Sequence, residues 1–365
     1  MAGAQADRGG VIDASDASRN FSSSIRAFAS DLLGFAEREH VRLPVQRAFE
    51  LHDMSLRVGF SSPDYAELCD RAYLPALRPA GGARKVRLAV LDYSSLLHIP
   101  CWNRPPPGLG NVMAALAEQG RRGAYDGDHA IWHIYDPART LGIQVMLAAS
   151  LRPPWEASFP LRLLLHWAGQ VAHRGMVHAG TLGYEGNGVF LVGAGGSGKS
   201  GTTLSGILHG LRSVGDDYVA VRAAGGLIEA QPVLRLMKQD IRGLQRLGLK
   251  AGKGALDRPP NWQGKIEFDF AALVPGARAE RLAMKAILIP HVSRSPSSSF
   301  RPASAREAMM AMAPSSLYQL YGSLREDFGL IASIARTLPA FHLDLSEDAV
   351  EIAATVRAFI EDRAR

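Results

Sequence analysis

Eight residues constrain this chain more than any others. Gly193-Ala-Gly-Gly-Ser-Gly-Lys-Ser200 fits the pattern G-x-x-x-x-G-K-[ST]. Val189-Phe-Leu-Val192 leads into it as a buried strand. Gly201 to Leu211 leads out of it as an amphipathic helix, with Leu204, Ile207, Leu208 and Leu211 on one face. A strand that turns through a glycine-rich loop into a helix offers backbone N–H groups and a helix N-terminus to an anion. Gly193, Ala194, Gly195, Gly196, Ser197, Gly198, Lys199, Ser200 and Gly201 are therefore the expected nucleotide-binding residues. Lys199 would reach the β- and γ-phosphates, and the Ser200 hydroxyl would hold Mg²⁺. The motif implies an α/β fold and a nucleoside triphosphate, with ATP and Mg²⁺ as cofactors. It does not say what is done with the triphosphate.

Composition bounds the rest. The chain has 365 residues, room for two ordinary domains or one large one. It is 47% hydrophobic and 21% charged, a globular composition that excludes wholesale disorder. Its 37 glycines and 21 prolines follow no fixed repeat, so collagen-like and solenoid readings are out. Cys69 and Cys101 have no ligand spacing and no companion cluster, so two buried, reduced thiols are expected. No run of 18 apolar residues predicts a transmembrane helix. Met1 to Asn20 lacks the apolar core of a signal peptide, and a soluble cytoplasmic protein is the expectation.

Three segments follow from the patterning. Residues 1–20 read as a disordered leader, 21–155 as a small α+β domain, and 156–365 as the domain that carries the phosphate loop. Phe21 to His40 is helical by its stripe of Phe28, Leu32, Leu33 and Phe35. From about 50 to 155 the pattern is strand-like. Lys85–Tyr93 is one candidate, and Ala130–Tyr135 and Gly142–Ala149 form a hairpin across Asp136–Thr140. Asn103–Asn111 reads as an irregular loop, and Pro160 to His173 as a buried helix. Met176–Tyr184 is a strand joined to Gly188–Val192 by the turn Glu185-Gly186-Asn187-Gly188. Beyond the loop come a strand at Ala286–Pro290, a Ser/Arg/Pro connection at 293–302, and helices near 304–313 and 325–336. A strand at Phe341–Leu345 and a last helix from Asp348 complete the chain.

Two further features bear on chemistry. Asp216-Asp217 follow the helix of the phosphate loop and precede the apolar Tyr218-Val-Ala-Val221. In a phosphate-loop fold that next strand is expected beside the loop's own strand, where its end brings a carboxylate to the metal and the γ-phosphate. Paired carboxylates allow one to hold Mg²⁺ while the other takes a proton from an attacking hydroxyl. His178 lies on the strand before the loop's hairpin, while His166 and His173 belong to the preceding helix or its end.

These spacings bring out a resemblance. The histidine lies fifteen residues before Gly193, and the first aspartate seventeen after Lys199, in a stretch of the form G-x-x-x-x-x-D-D-x-V. Residues 175–222 closely resemble the HPr kinase/phosphorylase-like serine kinases, whose relatives include kinases of lasso-peptide clusters. The C-terminal half is similar to the smaller members more loosely. The resemblance implies a kinase domain of HPr-kinase/PEP-carboxykinase-like type. It makes Asp216 the acid/base at the acceptor hydroxyl and Asp217 the carboxylate near the metal with Ser200. His178 and Lys199 would share that catalytic site. The sequence departs from the family in two places. Gly201 stands where those enzymes carry an acidic residue, and Asp240-Ile-Arg-Gly243 is the nearest stretch to their Glu-x-Arg-Gly. Neither the reverse phosphorylase reaction nor HPr as acceptor follows for this chain.

The reaction this implies is transfer of the γ-phosphoryl group to a hydroxyl, serine first, of a peptide, protein or small molecule. A nucleotide-binding regulatory module or slow ATPase is the alternative, but a mere binder has no use for the aspartate pair. Arg235, Lys238, Arg242, Arg246, Lys250, Lys253, Arg258 and Lys265 face only Asp240 and Asp257 within that stretch, so the net +6 of the chain is concentrated there. Such a run is a solvated face or a device that screens the triphosphate or docks an acidic partner. It is nearly free of aromatics, which argues against single-stranded nucleic acid. A membrane partner is not expected, and a homo-oligomer is left open.

Overall fold

Residues 88–91 read as one apolar run because both faces of their strand are covered. In the computed structural model, which describes residues 14–51, 54–74, 84–96, 98–170 and 174–365, this strand is the middle of the first sheet. Its Val86, Leu88 and Val90 join one apolar cluster, while Ala89 and Leu91 join another on the opposite face. The sheet contains β1 (Val45–Leu51), β2 (Met54–Phe60), β3 (Arg84–Asp92), β4 (Arg122–Asp126), β5 (Ile131–Asp136) and β6 (Leu141–Met146), in the order β1-β2-β3-β6-β5-β4. The pairs β2–β3 and β3–β6 are parallel and the others antiparallel. Helices α1 (Ala14–Glu39) and α3 (Leu109–Ala117) cover one face, and α2 (Pro63–Ala72) and α4 (Arg162–Gly169) the other.

The second sheet carries the phosphate loop. Its strands are β7 (Arg174–His178), β8 (Gly180–Tyr184), β9 (Asn187–Leu191), β10 (Tyr218–Ala224), β11 (Leu227–Pro232), β14 (Leu282–Ser295), β15 (Ser299–Ala303) and β16 (Ala340–Ser346). Ile287 and Leu288 of β14 pair in parallel with both β9 and β16. Three parallel strands thus run side by side, and the loop leaves the carboxyl end of β9, the usual place for a ligand in such a sheet. Between β11 and β14 lies a two-stranded ribbon of β12 (Leu236–Asp240) and β13 (Lys265–Asp269), with α6 (Ile241–Arg246) between them and α7 (Phe270–Leu273) after. Helices α5 (Lys199–Leu208) and α10 (Ala349–Ala364) join the core on one face of the sheet, and α8 (Ala305–Leu317) and α9 (Leu324–Thr337) that on the other. Local signals set several starts: Ser304 and Glu307 form a capping box on α8, and Asp348 caps α10.

Several expectations change. Helix α1 begins at Ala14, so part of the stretch read as a leader is helical; residues 1–13 lie outside those described. Leu109 to Asn111 start α3 rather than belonging to a loop, and α2 sits in a region read as strands. The buried helix ends at Gly169, and His173 lies outside the described residues. The turn between β8 and β9 narrows to Glu185 and Gly186, whose φ angles of 49° and 81° are those of a two-residue hairpin turn. The Ser/Arg/Pro segment is the end of β14, a three-residue turn and most of β15, because β15 pairs with β16 and Ser298 donates to Glu351. Cys69 is buried, but Cys101 is exposed. No helix among the described residues is long and apolar enough to cross a membrane.

The two sheets share a core. One cluster contains Tyr65, Leu88 and Tyr135 from the first half together with Met176, Tyr218, Val233 and Leu320 from the second. Helix α4 sits in that cluster, and Trp167 donates its indole N–H to the carbonyl of Tyr321 at 2.9 Å. Trp167→Ala should therefore cost about 3–5 kcal/mol, the usual loss for a buried aromatic. Thermal unfolding should show one transition lowered by several degrees. An unchanged melting temperature would mean that α4 does not tie the halves together.

Candidate functional site

The phosphate loop is shaped by glycines. Gly193, Gly196 and Gly198 have φ angles of 142°, 83° and 106°, which side chains other than glycine rarely adopt. A Cβ on Gly198 would also stand 2.7 Å from Leu345 Cδ1, so the loop lies directly on β16. Gly198 is the N-cap of α5 and has no side chain to cap it. The first-turn amides of that helix therefore have no intrahelical or capping partner and face the mouth of the loop. Lys199 is buried, and its ammonium donates to the carbonyls of Gly193 at 2.6 Å and Ala194 at 3.0 Å. Burial pushes that ammonium below its usual range, opposed by the charges of Asp216 and Asp217 and assisted by that of Lys265.

The aspartates reach the loop by an indirect route. The strand after α5 was expected beside β9, but β10 pairs with β7 and β11 instead. The neighbours of β9 are β8 and β14. The stretch read as one strand over 176–184 is two: β7 pairs with β10, and β8 pairs with β9. At the break, Ala179 N–H donates to Asp217 O and Thr181 N–H to Gly215 O. The aspartate segment thus runs along β8, one strand away from β9. Thr181 Oγ1 holds it there by accepting from Val214 N–H at 3.1 Å.

Gly180 makes the crossing possible. A Cβ at this position would stand 2.6 Å from Thr203 Oγ1 on α5 and 3.1 Å from Asp216 Oδ1. The bare backbone is a gap through which the Asp216 carboxylate faces the phosphate-loop helix. Asp216 is buried, 5% exposed, and its Oδ1 has no hydrogen-bond partner among the described residues. Burial pushes its carboxyl up to about 6, with the neighbouring Asp217 adding to the rise and the hydroxyls of Ser200 and Thr203 opposing it.

Asp217 points elsewhere. One oxygen pairs with His178 Nε2 at 2.9 Å and the other with Lys238 Nζ at 2.7 Å. Burial works against the charged form, yet Lys238 and His178 hold the carboxyl well below the ordinary range. His178 Nδ1 has no partner among the described residues, while its backbone N–H donates to Ser316 Oγ at 3.0 Å. The carboxylate nearest Ser200 is therefore Asp216, whereas Asp217, expected on the metal side, has both oxygens engaged. His166 is remote from this site, buried against Ser323 and Asp327. Asp240 of the Asp-Ile-Arg-Gly stretch caps α6 by accepting from Gly243 N–H at 2.7 Å.

Gly180, Thr203 and Lys238 were not singled out by sequence reasoning as site residues. A glycine inside an apolar strand was the available signal for the first. Lys238 was visible only as one member of the basic run. A triphosphate with Mg²⁺ fits what is present: uncapped helix amides, a buried lysine held by loop carbonyls, and a buried carboxylate oxygen, without a partner among the described residues, beside a serine hydroxyl. Mg²⁺ commonly takes one or two protein ligands and completes its shell with phosphates and water.

No family model matches this chain, and no curated protein matches it. Among solved structures, the Hpr(Ser) kinase/phosphatase from Coxiella burnetii is similar over 52% of this chain and 99% of that one, at 13% identity and a TM-score of 0.29. A likeness at that level carries nothing about activity.

The raised carboxyl has a consequence for stability. Its folded value of about 6 lies above the ordinary value of 3.8, so the fold disfavours the ionised form. That cost is absent below the lower value and complete above the upper one. Asp216→Asn should then stabilise the protein at about pH 8, by something on the order of 3 kcal/mol, and by less at about pH 5. Melting curves without nucleotide or metal would test this. An Asn variant with the same advantage at both pH values would rule out a raised carboxyl.

Proposed function

We propose that this chain is an ATP- and Mg²⁺-dependent phosphotransferase of HPr-kinase-like type, with residues 156–365 carrying the nucleotide site. It transfers the γ-phosphoryl group to a hydroxyl, serine first, of a peptide, protein or small molecule. The observation that carries this reading is the buried, unpartnered Asp216 oxygen facing Ser200 and Thr203 across the gap at Gly180. A protein that only binds nucleotide needs Lys199 and Ser200 but has no use for a carboxylate of raised basicity at that place.

Each residue then has a part. The loop amides and Lys199 bind the phosphates. Lys199 gives up its carbonyl partners to do so, and its position inside the loop limits the reorganisation required. Ser200 and Asp216 face the metal side. When bound, Mg²⁺ neutralises charge on the phosphate oxygens. Asp216 accepts the proton of the acceptor hydroxyl, a task suited to a carboxyl lifted towards neutral pH. Asp217 holds His178 and Lys238 in fixed positions at the edge of the site. We thus assign it positioning rather than the metal contact that the resemblance implied.

Two measurements test the reading. Calorimetry should show that Lys199→Ala loses ATP–Mg²⁺ affinity strongly; equal affinity for wild type and variant would overturn the nucleotide site. Mass spectrometry of candidate acceptors incubated with ATP and Mg²⁺ should show an added phosphoryl group. Asp216→Asn should retain ATP binding and lose transfer by roughly 10²–10⁴-fold, the usual contribution of a positioned base. ATP turnover with no acceptor, unaffected by Asp216→Asn, would return the chain to a nucleotide-binding module or slow ATPase.

A further inference from the structure

We propose that Lys265 supplies a second lysine cation to the triphosphate, so that the phosphate site is built jointly by the loop and by the β12–β13 ribbon. The proposal rests on the nucleotide reading above and adds a residue that the phosphate-loop motif does not contain.

The register of the ribbon sets the geometry. Lys238 lies opposite Glu267, and Asp240 opposite Lys265. Directly opposed residues share a face, and residues two apart along a strand share it too. Met237, Ile266 and Phe268 form the other face and are buried in the cluster that contains Leu204 and Ile207 of α5. The ribbon is therefore clamped to the phosphate-loop helix by its apolar face. Lys238, Asp240, Lys265 and Glu267 make up the polar face.

Lys238 shows where that face looks, since its ammonium lies 2.7 Å from Asp217. Glu267 is occupied by Ser158 and by Asn261 Nδ2. Asp240 is engaged in capping α6. That leaves Lys265, half-buried, its ammonium without a hydrogen bond or ion pair among the described residues. Its charge is felt at Lys199, where it helps to push the ammonium down. Two lysine cations close enough to feel each other's charge repel, and a polyanion between them turns that repulsion into attraction. Arg242, Arg246, Lys250, Lys253 and Arg258 differ from Lys265 in being exposed, on α6 and the segment after it.

Calorimetry with ATP–Mg²⁺ and with AMP, on the full chain, tests the proposal. Lys265→Met should weaken ATP about ten- to a hundredfold, the loss expected for one charge-assisted bond to phosphate, and leave AMP within twofold. Lys265→Arg should restore most of the ATP affinity, and Lys253→Met should match wild type. Lys265→Gln serves as a second charge-removing variant should the methionine disturb folding. ATP affinity within twofold of wild type in the charge-removing variants would overturn the proposal. Equal weakening of ATP and AMP would overturn it too, because a structural role moves both. If wild type and Lys199→Ala alike fail to bind ATP, the nucleotide reading itself fails, which is a separate result.

Discussion

A buried carboxylate beside a helix N-terminus is the constraint on which this site turns. Taking an ionisable group out of water raises the cost of its charged form, and at Asp216 the hydroxyls of Ser200 and Thr203 and the charge of Lys199 offset that cost only in part. The surrounding structure has to hold it there. Gly180 leaves the space, Thr181 fixes the segment that carries it, and the break at Ala179 lets one stretch of chain pair with β10 and then with β9. A side chain at Gly180 would close the gap. The loop would still be able to bind phosphates, but the carboxylate would no longer face it.

The neighbouring aspartate has the opposite environment. Asp217 is half-buried, yet the Lys238 ammonium and the His178 ring overcome the burial penalty and hold it ionised. Adjacent residues on one backbone thus differ in basicity because successive side chains point to different surroundings. That separation is how a pair of carboxylates comes to divide its work. It also accounts for Lys238, whose own burial is offset by Asp217. Lys238 in turn fixes which way the polar face of the ribbon looks, and so the direction available to Lys265.

The two sheets are not independent bodies. The cluster around α4 draws side chains from both, and Glu156 accepts from Tyr65, joining the segment before α4 to α2. Ser158 reaches Glu267 on the ribbon. A composition shift near residue 156 marks where the chain changes character, and it lies within two residues of a side chain that bonds to the site's own ribbon. Contacts of this kind couple the first half of the chain to the polar face of the ribbon.

The phosphate loop, its strand and its helix were legible in the sequence, because each is a local pattern: apolar run, glycine spacing, amphipathic period. The same holds for the β5–β6 hairpin and for the helices α8 and α10, which depend on residues a few positions apart. The aspartate pair was legible as a pair, and His178 as its companion. What each aspartate does was not. Their roles depend on Gly180, thirty-six residues before Asp216, and on Lys238, twenty-one after Asp217. The strand that receives them is β8 rather than β9 itself, since sheet order is decided by long-range pairing and not by succession along the chain. The Ser/Arg/Pro stretch misled for a related reason: its polar residues look like a loop, but an edge strand on β16 leaves one side open to water and tolerates them. The sequence by itself determined the glycine-rich loop and the helix that follows it. Only the tertiary structure decided which carboxylate meets them, because burial and charge at a side chain are set by whatever the fold brings alongside.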